Sequence, residues 1–160
     1  FSRETLAVVA AKPETILKEV ARQEKELQRD RLRPDAFFDA ALAAYRALLA
    51  RSGGRLGDRV DLIDLLPEMA FARQPARFRE EPLRDRFVSY PKARFLAELQ
   101  DLRAARLLER NGFRFDLGTA TGDSVRQKAR VCYLENARGE GQYYLAARFV
   151  PVAPAAAAKP

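Results

Sequence analysis

Between Pro34 and Gly54 the chain carries an apolar pattern too broad to face water. Phe37, Phe38, Ala41, Leu42, Tyr45, Leu48 and Leu49 recur at the 3.6-residue spacing of a helix. Pro34 and Asp35 suit its first turn, where a missing N–H costs nothing and a carboxylate meets the positive end of the helix dipole. Ser52-Gly53-Gly54 stops it. A helix with so wide an apolar face requires cover from the rest of the chain, so the spacing predicts a core helix over 35–51 and a packed domain around it.

The covering elements are legible downstream. Ser89-Tyr90-Pro91 predicts a helix start with Pro91 at its first position, and PKARFLAELQDLRAARLL places Phe95, Leu96, Leu99 and Leu102 on one face. Its other face offers Lys92, Arg94, Gln100 and Arg103, with Glu98 and Asp101 among them. Asn111-Gly112 is a two-residue turn signal of type I′, with Leu108, Phe113, Phe115 and Leu117 on the two arms. A second hairpin is expected over 129–150, from ARVCYLE through NARGEG to QYYLAARFV. Earlier, Val60 reads as a very short strand and Asp61 as the N-cap of a short helix carrying Leu62, Ile63, Leu65 and Leu66, with Pro67 starting a new turn or kinking it. Residues 72–90, broken by Pro75 and Pro82, read as a long irregular connection.

The expected organisation has three parts. Residues 1–33 hold a short apolar stretch (TLAVVAA) and a charged connector helix from Pro13 to about Leu32, whose narrow seam is Leu17, Val20 and Leu27. Residues 34–152 form an α+β domain, N-terminal helices followed by an antiparallel β meander of two hairpins. Residues 153–160 are a Pro/Ala-rich tail or linker.

Composition removes whole classes of chemistry. There is no histidine and one cysteine, Cys132, so His-based acid/base catalysis, Ser-His-Asp and Cys-His nucleophiles, His metal sites and an intrachain disulfide are all excluded. The loop GTATGDS lacks phosphate-cradle spacing, and Asp116, Glu135 and Lys128 read as solvated sheet-edge charges. The expectation is a chain that is no enzyme, with no cofactor, no metal and no catalytic residue, Cys132 being a small core side chain. No apolar run reaches the roughly 18–20 residues of a membrane span. A cytoplasmic setting is expected from the cysteine usage. The start at Phe1 points to a piece of a larger protein.

The formal charge is +7, and it is unevenly placed along the chain. Residues 1–72 hold 12 basic and 12 acidic side chains, whereas residues 73–160 hold 17 and 10. Such asymmetry points to an anionic partner, nucleic acid first and an acidic protein second.

The element order sharpens this. A helix at 35–51, a strand-like piece at Val60, helices at 62–71 and 91–105 and then a hairpin resemble the winged-helix superfamily. The stretch ARFLAELQDLRAARLLERNGFRFDL is similar to that superfamily's third helix and first wing. The insertion at 72–90 and the hairpin at 129–150 are additions to the pattern.

The resemblance implies a DNA-binding module, DNA rather than RNA, whose helix from Pro91 enters a major groove. Lys92, Arg94, Gln100 and Arg103 would face the duplex, with Arg110, Arg114 and Arg138 on turns or wings. Arg73, Arg77, Arg79, Arg84 and Arg86 in the irregular segment would add phosphate contacts. The alternative is a protein-interaction module that docks an acidic partner through the Arg/Phe segment 71–90 and the charged helix 13–32, with Phe71, Phe78 and Phe87 as anchors. Burial of those rings discriminates the two. A third reading stacks RNA or single-stranded bases on Tyr133, Tyr143 and Tyr144.

Overall fold

The computed structural model describes residues 3, 5–135 and 138–152. The Pro/Ala-rich tail expected at 153–160 lies outside the described residues. The fold is α+β, with five α-helices and an antiparallel sheet. Helix α1 spans Pro13–Gln28, α2 Pro34–Ser52, α3 Leu65–Ala72, α4 Ala76–Glu80 and α5 Lys92–Ala104. The strands are β1 (Val60–Asp61), β2 (Glu109–Arg110), β3 (Phe113–Thr119), β4 (Cys132–Glu135) and β5 (Gly141–Pro151).

Helix α2 is the core helix its spacing predicts. Phe37, Phe38, Ala41 and Tyr45 are fully buried. Gly53 ends the helix at φ 71°, a left-handed conformation that glycine adopts without steric cost. Phe38 and Tyr45 each meet the ring of Phe149 at 5.3 Å, and Phe149 stacks on Phe115 at 4.5 Å. These aromatics tie α2 to β5 and β3. The Tyr45 hydroxyl donates to the carbonyl of Asp58 and accepts from the N–H of Gly57, holding the chain that enters β1.

The sheet departs from the expected meander. Its order is β1-β5-β3-β2, with β4 also paired to β5. Strand β5 is therefore central: β3 lies along one edge, from Phe113 opposite Pro151 to Thr119 opposite Tyr144, while β1 and β4 share the other. An irregularity between Gly118 and Thr119 shifts the register, so Phe149, Ala147 and Tyr144 all join the core. The Asn111-Gly112 turn has the two positive φ values, 52° and 75°, that a type I′ hairpin needs. Asp39 of α2 fastens that turn, accepting from Arg110 at 3.1 Å and Asn111 at 2.8 Å.

Two local expectations are corrected. Asp61 makes no capping hydrogen bond; its carboxylate takes the guanidinium of Arg130 instead. The segment after α3 is not irregular: it contains α4 and a 3-10 turn at Arg84–Arg86. Gln74, only 1% exposed, closes its base. The Gln74 amide donates to the carbonyls of Ala70 and Val88 and accepts from the N–H of Val88. Residues 75–87 are thus a compact excursion of the Ω-loop kind, with its two ends held together.

Candidate interaction surfaces

The helix expected to read a groove is enclosed. Eight of the thirteen residues of α5 are buried, and these include Arg94 and Glu98 as well as the apolar face. The end of α1 and the linker between α1 and α2 cover one side. Arg94 donates to the carbonyl of Glu26, Arg31 to the carbonyl of Ala97 and the carboxylate of Asp101, and the N–H of Leu32 to Glu98. Strand β4 covers another, with Lys92 donating to the carbonyl of Val131 and Gln100 to that of Glu135. A helix packed in this way has no free face for a major groove, so the groove-reading role expected of Lys92, Arg94, Gln100 and Arg103 is corrected. Arg103 lies half-buried with its guanidinium 5.1 Å above the ring of Tyr144.

Glu98 organises the enclosure. It is fully buried and accepts from the Tyr90 hydroxyl at 2.5 Å, the Leu32 N–H at 2.8 Å and Arg73 at 3.0 Å. Arg73 also donates to the carbonyl of Asp30 at 2.6 Å and lies 4.6 Å above the Tyr90 ring. Burial, followed by the neighbouring carboxylate, pushes the Tyr90 phenol far above its usual pKa. Arg73 is therefore a structural residue, bound within the protein. The signal missed in the sequence is the pair Arg94 and Glu98, four apart on one helix, which reads as a solvated surface pair.

The other arginines of 73–86 divide into two groups. Arg79 donates to the carbonyls of Gln74 and Ala72, and Arg86 pairs with Glu81 while donating to the carbonyl of Arg77. Arg77 and Arg84 are exposed, with no ion-pair partner for either side chain among the described residues. The same stretch of chain carries a row of rings: Phe71 meets Phe78 at 6.4 Å, and Phe78 meets Phe87 at 5.7 Å, both edge to face. The outer two are 64% and 47% exposed, and Leu83 and Val88 beside them are exposed as well. The three rings are outside the main core. They form an aromatic ledge across the end of α3 and the clasped loop.

The remaining expected contacts are dispersed. Arg110 is bound to Asp39, and Arg114 to Asp116, whose carboxyl is held below the usual range chiefly by that hydrogen bond. Arg138 lies exposed in the turn between β4 and β5. The base-stacking reading loses two of its three rings, since Tyr133 and Tyr144 are 6% and 8% exposed. Tyr133 lies over Gly141 and packs on Tyr143 at 4.9 Å, with the guanidinium of Arg3 stacked 4.0 Å from the Tyr133 ring centre. In α1 no residue is buried, and Ile16, Leu17 and Val20 are exposed along it.

Among the described residues no group of three potential ligands is placed to hold a metal ion, and no helix is long and apolar enough to cross a membrane. No family model matches the chain, no curated protein matches its sequence and no solved structure matches its fold.

Proposed function

We propose that this chain is a non-catalytic protein-docking module, and that its anchor is the ledge of Phe71, Phe78 and Phe87 together with the exposed Arg77 and Arg84 of the same segment. The observation that carries this reading is a contiguous row of aromatic rings, exposed at both ends, that runs from Phe71 of α3 onto a loop whose base is hydrogen-bonded shut. Exposed apolar rings raise the free energy of the lone protein, and a pre-ordered ledge binds without the entropy cost of ordering a loop. Aromatic and Arg side chains are the residue types that dominate interface energetics. The unpaired guanidinia select an acidic segment carrying apolar side chains. The single buried cysteine fits a cytoplasmic setting.

The test uses two synthetic peptides with the same Leu/Phe spacing, one with Glu and one with Lys at the intervening positions. Fluorescence anisotropy is expected to show binding of the acidic peptide, weakened roughly tenfold or more by Phe87→Ala and by Arg84→Glu. Equal binding of the basic peptide, or indifference to both substitutions, rejects the ledge as the anchor.

A second reading, nucleic-acid binding by a winged-helix-like module, is favoured by topology. The succession α2, β1, α3, α5, β3, β5 and the strand order β1-β5-β3 support that likeness. With α5 enclosed, such binding rests on phosphate contacts rather than base edges, with weak sequence preference. Duplex DNA is favoured over single strands because the tyrosine platform is buried.

A further inference from the structure

We infer that the open face of the sheet holds a phosphate seat, built by Arg59 and Arg148 over a floor of Gly118 and Ala146. This inference rests on the nucleic-acid reading for its ligand, though not for its geometry. Residues that alternate with the core positions place Arg114, Asp116 and Gly118 of β3 beside Val150, Arg148 and Ala146 of β5, and Asp61 of β1 beside Ala146. Continuing the β1 register by one residue sets Arg59 opposite Arg148. A cleft of about 420 Å³ is lined by Arg59, Asp116, Gly118, Ala146 and Arg148, and it extends to Arg103 of α5 and to Phe115, Tyr144 and Ala147 of the core side.

The charges do not balance. Asp116 is one carboxylate serving two guanidinia, Arg114 at 2.8 Å and Arg148 at 3.1 Å. Arg59 has no partner among the described residues. Like charges directly opposite across a strand pair repel, and a bound anion relieves that repulsion. Guanidinium forks match the oxygens of a phosphate, so Arg59 and the free edge of Arg148 form a two-sided clamp. The floor lets the anion come close to the backbone. Gly118 has no side chain, and a Cβ there would stand only 3.2 Å from that of Ala146. The cleft is open rather than enclosed, which suits a phosphodiester backbone passing across it.

Two probes test the seat: inorganic pyrophosphate by calorimetry at low salt, and a 20-base-pair duplex by salt-titrated anisotropy. Saturable pyrophosphate binding is expected, weakened roughly tenfold or more by Arg59→Ala, less by Arg59→Lys, and unchanged by Arg126→Ala, which removes an exposed side chain. The duplex is expected to bind with a log–log salt slope that falls by about one in Arg59→Ala. Pyrophosphate binding without duplex binding keeps the seat and rejects nucleic acid as its source. Duplex binding indifferent to Arg59 and Arg148 keeps the nucleic-acid reading and overturns the seat. Binding of neither probe overturns both.

Discussion

Replacing Arg73 by Ala tests whether the arginines of this chain are for partners or for the fold. The Arg73 side chain is 18% exposed and Glu98, its partner, is fully buried. Removing one member of a buried ion pair costs about 3–5 kcal/mol, because the other charge is left without compensation. Here Glu98 keeps the Tyr90 hydroxyl and the Leu32 N–H, which lowers the expected loss to about 2–3 kcal/mol. The carbonyl of Asp30 loses its donor too, freeing the start of the α1–α2 linker. In a domain of this size the loss corresponds to a fall in Tm of about 4–12 °C. Urea titration of the wild type, Arg73→Ala and Arg84→Ala measures it, with amide exchange at Leu32 as the local readout. Arg84 is exposed and unpaired, so its removal should change stability by less than about 0.5 kcal/mol. Equal stabilities for the two variants would refute the reasoning. The outcome also bears on binding work: replacing Arg73, Arg77, Arg79, Arg84 and Arg86 together confounds lost contacts with lost fold.

Alkaline pH offers a second probe of the same network. Burial raises the phenols of both Tyr90 and Tyr45, so each stays neutral in the folded chain at a pH where the unfolded chain ionises it. Their contribution is fully present below pH about 10 and declines above it, by about 1.4 kcal/mol per pH unit for Tyr90. Thermal melts from pH 9 to 11.5 should show this decline, and Tyr90→Phe should make it shallower; an unchanged slope counts against the assignment. For the ledge, Gln74→Leu removes the three hydrogen bonds that close the loop and leaves the Val88 N–H without its partner. Trypsin should then cut faster after Arg77 and Arg84 while the far-UV spectrum stays native. Unchanged cleavage means that the rings, rather than Gln74, hold the loop.

The elements that could be read directly were those whose signal is local. Helix α2 begins at Pro34 and ends before Gly53 because proline, glycine and a seven-residue apolar face act within the segment itself. The Asn111-Gly112 turn is equally local. Strand β5 carried no indication that it sits between β3 and β1, since alternation along a strand says which residues share a face but not which strand lies beside it. Helix α5 misled for a related reason. Arg94 and Glu98 look solvated on a helical wheel, yet the groups they bond to are the Glu26 carbonyl, the Leu32 N–H, Arg73 and Tyr90. Three of these come from far along the chain, where no helical period reaches. Phe71, Phe78 and Phe87 were found as residues, but their grouping depends on how the chain returns between them, which no local period reports.

Charge asymmetry along a chain and charge asymmetry in space are different quantities, and this fold separates them. The basic excess after residue 72 pointed to the arginines of 73–138 as the contact surface. Many of those guanidinia are bound to internal carbonyls and carboxylates: Arg73 to Glu98, Arg79 to Ala72 and Gln74, Arg94 to Glu26. Arg59, from the half with no net charge, is carried by β1 to the edge of β5, where it completes a basic face with Arg148. An arginine that already donates to the protein's own acceptors must break those bonds to reach a ligand. Arg59, Arg77 and Arg84 break none, which makes them the side chains whose replacement should alter binding while leaving stability in place.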